Sequence, residues 1–200
     1  MQLNDLIGTR PVITVSGANK GVGKTALSEI LLRTLRNFSA IKITITDHEV
    51  AVADDEQTIL SPSTDTCRMK QSGALQVVWV RSTESHLFDA MVTALGKMPP
   101  GRGILVEGNS ILRHLNPTIS FFVARPPLAA MKPSRVHALE KADVCVINRT
   151  DGPEPARELA GRLQDINPAM TILTIDLLDP AGPTCDDYTR LLSLLNERLT

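Results

Sequence analysis

The stretch Gly17-Ala18-Asn19-Lys20-Gly21-Val22-Gly23-Lys24-Thr25 constrains this chain more than any other feature. It follows the apolar run Val12 to Ser16 and opens a helical pattern. From Ala18 it reads A-x-x-x-x-G-K-T, a phosphate-binding loop with alanine in the first glycine slot. Gly21 and Gly23 permit backbone conformations that turn successive N–H groups toward phosphate oxygens. The start of the following helix adds its partial positive charge. Lys24 is expected to reach the β- and γ-phosphates, and Thr25 to offer its hydroxyl to Mg²⁺. The nucleotide-binding set is then Ala18, Asn19, Lys20, Gly21, Val22, Gly23, Lys24, Thr25 and Ala26. A glycine-rich turn without a ligand is the bland alternative; strand, helix and G-K-T together outweigh it. In ATPases whose loop reads G-K-G-G-x-G-K-T, a second lysine fills the slot held here by Asn19. Lys20 is one place late for that role, and a solvated loop lysine is the simpler account.

The rest of the chain repeats strand then helix. Short β-branched runs are predicted as strands at Ile41 to Thr46, Gln76 to Arg81, Gly103 to Glu107, Ile119 to Arg125, Asp143 to Asn148 and Thr171 to Ile175. Most are continuously apolar, the mark of strands covered on both faces of a parallel sheet. Helices are predicted over Lys24 to Asn37, Glu84 to Leu95 (capped by Ser82 or Thr83), Pro155 to Ile166 and Asp186 to Leu199. The expected fold is α/β, a P-loop NTPase with a doubly wound, mostly parallel sheet of about seven strands and helices on both faces. Glu49 to Thr66, with its acids and Ser61-Pro62-Ser63, reads as a surface excursion, and Lys97 to Arg102 as a loop. No internal repeat or linker divides residues 1–200, so one nucleotide-binding domain is expected.

Composition narrows the function classes. With 42% apolar and 22% charged residues, the chain is globular rather than disordered. A net charge of -1 and 3% aromatics offer neither a basic face nor stacking rings for nucleic acid. No apolar run reaches the roughly 18 residues of a membrane span, and the N-terminus, with Asp5, does not read as a signal peptide. Cys67, Cys145 and Cys185 are scattered, with no C-x-x-C. The expected setting is the cytoplasm.

Two further patterns bear on chemistry. Gly103-Ile104-Leu105-Val106-Glu107-Gly108 is an apolar run ending in a carboxylate. Beside a phosphate loop, such a carboxylate holds Mg²⁺ directly or through water. Asp47, after the second strand, is a further candidate for Mg²⁺ or for orienting a water, with turn capping as the alternative. Lys24, Asp47 and Glu107 form the expected catalytic set, and Thr25, Asp47 and Glu107 the expected metal set. Asn148-Arg149-Thr150-Asp151 follows a late strand, where GTPases carry N-K-x-D. Asp151 would accept hydrogen bonds from guanine N1–H and N2–H₂, which adenine lacks; Asn148 would brace the loop and reach N7. Arg149 departs from the lysine of that pattern but could stack on the base as well. Asp151-Gly152-Pro153 also reads as a plain turn. His48, His86 and His114 are candidate bases by type only. No arginine is evidently placed in cis; Arg68, Arg125 and Arg135 are possible donors in trans.

These residues together resemble the molybdopterin-guanine dinucleotide biosynthesis protein B family. The likeness runs from the A-x-x-x-x-G-K-T loop through Ile41-Lys42, Thr44 and Asp47, where the family has I-K-H-T-H-H-D. It continues through Asp65-Thr66, Lys70 and Ser72-Gly73-Ala74 to Leu105-Val106-Glu107-Gly108 and the strand to Phe122, about the first 125 residues. Ile43, Ile45 and Thr46 stand where the family has histidines, so any role of those histidines is missing. Lys132-Pro133-Ser134-Arg135 and Asn148 to Asp151 look more like the wider class that includes metal-insertion GTPases. The resemblance implies a Mg²⁺-dependent GTP-binding protein with slow GTPase activity. It implies a homodimeric adaptor beside a nucleotidyltransferase in molybdenum cofactor assembly, or in metal-centre assembly more broadly. An ATP-dependent synthase or kinase-like enzyme, similar to dethiobiotin synthetase, shares G-V-G-K-T and V-E-G; Asn109-Ser110 replaces its further glycines.

Overall fold

The computed structural model describes residues 2–47, 50–99, 103–148, 153–179 and 183–199. Its centre is β1 (Val12–Gly17), every residue of which is buried. β1 lies between two parallel neighbours that are equally buried, β5 (Gly103–Glu107) and β6 (Ile119–Ala124). β2 (Phe38–Ile45), β4 (Val77–Ser82), β7 (Val144–Asn148) and β8 (Thr171–Ile175) extend the parallel sheet on either side. A short β3 (Ala51–Ala53) pairs antiparallel on β4, giving eight strands in the order β3-β4-β2-β5-β1-β6-β7-β8. The apolar runs are continuous because helices cover both faces, so a strand has no solvent side on which to place polar residues.

One face is packed by α1 (Leu3–Ile7), α5 (Leu87–Gly96), α6 (Pro133–Glu140) and α7 (Glu154–Ile166), with Leu87, Met91, Leu159 and Leu163 in its core. The other carries α2 (Lys24–Thr34), α3 (Glu56–Ile59), α4 (Asp65–Gln71) and α8 (Asp186–Leu199), with Leu27, Leu31, Met69 and Leu191 buried. Period-two alternation sends Ile13 and Val15 of β1 to this second face. The architecture is the doubly wound α/β fold of P-loop NTPases.

The differences from the sequence expectations have local causes. α2 stops at Thr34, and Asn37 turns the chain with φ 72. β2 therefore starts at Phe38, whose ring lies over Gly103; a Cβ there would come within 2.3 Å of it. α5 begins at Leu87 because Thr83 Oγ1 accepts from His86 N at 3.3 Å and holds residues 83–86 in a turn. The segment 49–66 is more than a surface excursion. Among its described residues it forms β3 and α3, and α4 begins at Asp65. Asp55 caps α3 by accepting from Thr58 N, and Thr64 caps α4 by accepting from Cys67 N. α6, over Pro133-Ser134-Arg135, was not legible as a helix: its pattern is short and weakly amphipathic.

Phe121, on central β6, is fully buried in the second core. Phe121→Ala should lower stability by about 3–5 kcal/mol. Urea unfolding reads this; a loss under about 1 kcal/mol would mean the cavity collapses freely and the face is not tightly packed.

Candidate nucleotide-binding site

Strand β1 delivers the phosphate loop to the C-terminal edge of the sheet, where open α/β sheets place their ligands. Gly21 and Gly23 both adopt left-handed conformations, with φ 79 and φ 110. At Gly23 a Cβ would also stand 2.6 Å from Asn148 Nδ2, so only glycine fits. α2 starts immediately after it and has no side-chain cap, leaving its first N–H groups facing the loop's hollow.

Three asparagines from distant parts of the chain shape this loop. Asn109 brackets the Gly17 peptide: its Oδ1 accepts from Gly17 N at 2.8 Å and its Nδ2 donates to Gly17 O at 3.1 Å. Asn148, 0% exposed, donates to Val22 O at 3.0 Å and accepts from Leu177 N at 3.1 Å. Asn19 lies within the loop. Its backbone carbonyl accepts from Lys24 Nζ at 3.1 Å, and its Oδ1 accepts from Arg135 Nη1 at 2.7 Å.

Beneath the loop sits a buried carboxylate. Glu107 is 1% exposed. Its oxygens accept from Thr25 Oγ1 at 3.3 Å, from Ser28 Oγ at 3.2 Å and from Lys42 Nζ. Strand register makes the last contact possible, because Lys42 of β2 is the ladder partner of Glu107 on β5. Lys42 Nζ also pairs with Asp65, at the start of α4, at 2.6 Å. Lys42 thus bridges two carboxylates. Burial disfavours its charge, but Glu107 and Asp65 outweigh that and hold its pKa above 10.5. Desolvation raises Asp65, and the hydrogen bonds from Lys42 and Thr25 more than reverse it, leaving its carboxyl below 3.8. Lys24 behaves differently. Burial pushes its ammonium below 10.5; Glu107 pulls back, and the cations Lys42 and Arg135 push the same way as burial. An uncompensated ammonium beside an uncapped helix start is an anion site by its electrostatics.

The loop opens into a cleft of about 690 Å³, within the range of nucleotide and cofactor sites. Of the expected binding residues, Asn19, Lys20, Gly21, Gly23, Lys24, Thr25 and Ala26 line it, as does Glu107. Ala18 does not, and its N–H is taken by Val123 O at 2.9 Å. Val22 is buried, its carbonyl held by Asn148. Asn148 braces the loop as expected, but with its amide on Val22 and its carbonyl on Leu177 it does not line the cleft. Arg149 and Asp151 lie outside the described residues. Asp47 is exposed beyond the end of β2 and outside the lining; Asp65 is the second carboxylate beside Thr25. Lys42, Asp65, Ser28 and Asn109 were given no site role from sequence, although Lys42 and Asp65 are among the residues that carry the family resemblance. One signal was available for Lys42 and Glu107: each is the single charge in an otherwise apolar or hydroxyl-bearing strand. Arg135, read from sequence as a solvated surface residue or a donor in trans, reaches the loop in cis.

No family model matches the chain, and no curated protein matches it. Solved structures do. Hydrogenase maturation factor HypB from Archaeoglobus fulgidus superposes with a TM-score of 0.57 at 14% identity, over 99% of this chain and 93% of that one. HypB from Helicobacter pylori, solved in complex with nickel, gives 0.58 at 16% identity, over 94% and 87%. LpxK from Aquifex aeolicus, solved in complex with ATP, gives 0.52 at 11% identity, over 96% and 90%. At these identities the likeness establishes the fold.

Removing one partner of a buried ion pair leaves the other uncompensated. Lys42→Met should therefore cost about 3–5 kcal/mol, and adding Glu107→Gln should restore much of it. Urea unfolding of the single and double variants reads both. The pH dependence follows from the shifts. Asp65 is depressed, so its contribution is present above its unfolded value of 3.8 and is lost as pH falls through the lower folded value. Lys42 is raised, so its contribution is complete below 10.5 and is lost as pH rises through the higher folded value. On the acid side the gap between Lys42→Met and the parent should narrow as Asp65 is protonated.

Proposed function

We propose that this chain is a Mg²⁺-dependent, GTP-binding P-loop protein with slow GTPase activity. It would act as an adaptor in molybdopterin-guanine dinucleotide or metal-centre assembly. The observation that carries the nucleotide reading is the loop itself: two left-handed glycines, an uncapped helix start and a desolvated Lys24 meet at one point above buried Glu107. The uncapped helix start and the desolvated ammonium are each unfavourable alone, and a polyphosphate cradled by the glycine turn relieves both. Residues 1–200 then act as one nucleotide-binding domain.

The residues present fit Mg²⁺. Thr25, Glu107 and Asp65 bring hard oxygen donors to the phosphate end, the ligand type this ion prefers. Among the described residues no three His, Cys, Asp or Glu side chains gather into a metal cage, but Mg²⁺ on a nucleotide takes most of its ligands from phosphate and water. When bound, the ion neutralises charge on the transferring phosphate. The chain's own groups do the rest. Lys24 binds the β- and γ-phosphates, the α2 start donates N–H groups, and Lys42 holds the Glu107 side chain in place.

The adaptor reading is supported by the residues shared with the molybdopterin-guanine dinucleotide biosynthesis protein B family. It is also supported by the fold shared with a hydrogenase maturation factor. Homodimerisation and work beside a nucleotidyltransferase are part of that reading. Guanine selectivity rests on Asp151. The second reading, an ATP-dependent synthase or kinase-like enzyme, is favoured by one observation. The cleft continues past the phosphates to Thr44, Arg68, Glu84 and Ser110, room for a second substrate.

Two expected outcomes test this. Lys24→Ala should lower triphosphate affinity by about 10- to 150-fold, the equivalent of roughly 1.5–3 kcal/mol for a charged hydrogen bond, without changing the unfolding midpoint. Calorimetric titration with GTP, ATP and Mg²⁺ measures it; unchanged binding would sink the phosphate-loop reading. Asp151→Asn should weaken GTP and improve xanthosine triphosphate, because the amide donates to the xanthine 2-oxo group. Equal affinity of the parent for ATP and GTP would favour the ATP-dependent reading instead.

A further inference from the structure

Asn19 holds two cations at once. Lys24 Nζ donates to its backbone carbonyl and Arg135 Nη1 to its side-chain carbonyl. Both acceptors are neutral. Among the described residues, Lys24 and Arg135 form no ion pair, nor do Lys20 and Lys132 of the same cleft, whereas Lys42 and Arg68, which also line it, each have a carboxylate. Arg135 comes from the first turn of α6, far from the loop in sequence, and its charge is one of those that depress Lys24. Two like charges are thus kept side by side on weak acceptors, in a part-buried place. A phosphate oxygen is a charged acceptor, so it adds the attraction of opposite charges to hydrogen bonds whose donors are already charged. Exchange of Asn19 for phosphate is downhill for both cations, and it removes their mutual repulsion.

The position says which phosphate. Lys24 reaches the β- and γ-phosphates by the geometry of its motif. Arg135 lines the cleft and hangs from the same residue that holds the Lys24 ammonium, which puts it within reach of the phosphates that Lys24 meets. A guanidinium has five donors in a planar fork, and the Asn19 contact uses one. It can engage two oxygens of one phosphate together.

We propose that Arg135, held here on Asn19, is a cis-acting ligand of the terminal phosphate and transfers to the γ-phosphate of a bound nucleoside triphosphate. This rests on the nucleotide-binding reading above. Arg135 then makes the site distinguish triphosphate from diphosphate, and α6, which packs on β1, carries the difference away from the loop.

The test is calorimetric titration of the full chain with Mg²⁺ and a non-hydrolysable guanosine triphosphate analogue, against the diphosphate, with the adenosine pair in parallel. Arg135→Ala should weaken the triphosphate about 10- to 100-fold and the diphosphate less than about threefold, the difference expected of one charged hydrogen-bonding contact. Arg135→Lys, a point charge without the fork, should recover part of the triphosphate affinity. Equal weakening of both nucleotides would mean that Arg135 only buttresses the loop through Asn19, and would overturn the proposal; so would no change in either. Lys24→Ala separates the two levels. If it abolishes binding while Arg135→Ala shows no selectivity, Arg135 alone is refuted. If Lys24→Ala changes nothing, the nucleotide reading itself has failed. Should Arg135→Ala not fold, Arg135→Lys decides: selective loss of triphosphate affinity supports the role, and its absence overturns it.

Discussion

Glu107 is a carboxylate at the end of a fully apolar central strand, almost without solvent. An isolated charge there would cost several kcal/mol, so the surrounding elements must supply compensation. Thr25 and Ser28 do so from α2, and Lys42 from β2. Asp65 extends the contact to α4 through Lys42. One buried charge thereby ties the phosphate-loop helix, two neighbouring strands and the α4 segment into a single arrangement. Moving β2 by one residue relative to β5 would turn Lys42 to the opposite face and leave Glu107 unpaired. The register of the sheet and the chemistry of the site are therefore the same constraint.

The loop above Glu107 is held by side chains whose partners are backbone atoms. Asn109 fixes the entry at Gly17 and Asn148 fixes the middle at Val22. An amide side chain suits this because it can donate and accept at once, so it reproduces a missing peptide partner in both directions. Asn148 spends one amide hydrogen and its carbonyl this way, on Val22 and Leu177. Asn19 differs, since its partners are two cations.

Much of this was legible in the residues. The A-x-x-x-x-G-K-T pattern after an apolar strand is local, with its glycines, lysine and threonine fixed by spacing, and the structure places Lys24 and Thr25 at the cleft. Glu107 was legible only beside the phosphate loop, since an acid ending an apolar run is by itself commonly a turn or cap residue. The doubly wound fold followed from continuous β-branched runs alternating with helical spacing. The 49–66 region was harder. Its acids read as solvated, yet Asp55 caps α3 and Asp54 pairs with Lys97 at 2.7 Å, contacts that depend on where the chain returns.

The sequence by itself determined the phosphate loop, the strand-and-helix alternation and the buried acid, because each is written in neighbouring residues. Only the tertiary structure decided which distant groups join them. Lys42 meets Glu107 through strand order, which β-propensity does not encode. Asp65, not Asp47, stands beside Thr25 because α4 begins there and folds back over the second strand. Arg135 reaches Asn19, 116 residues away in the chain, because β6 pairs with β1 and sets α6 against the loop. Spacing fixes contacts within a turn or two; sheet order fixes the rest, since adjacency across a parallel sheet depends on crossovers that no local pattern records.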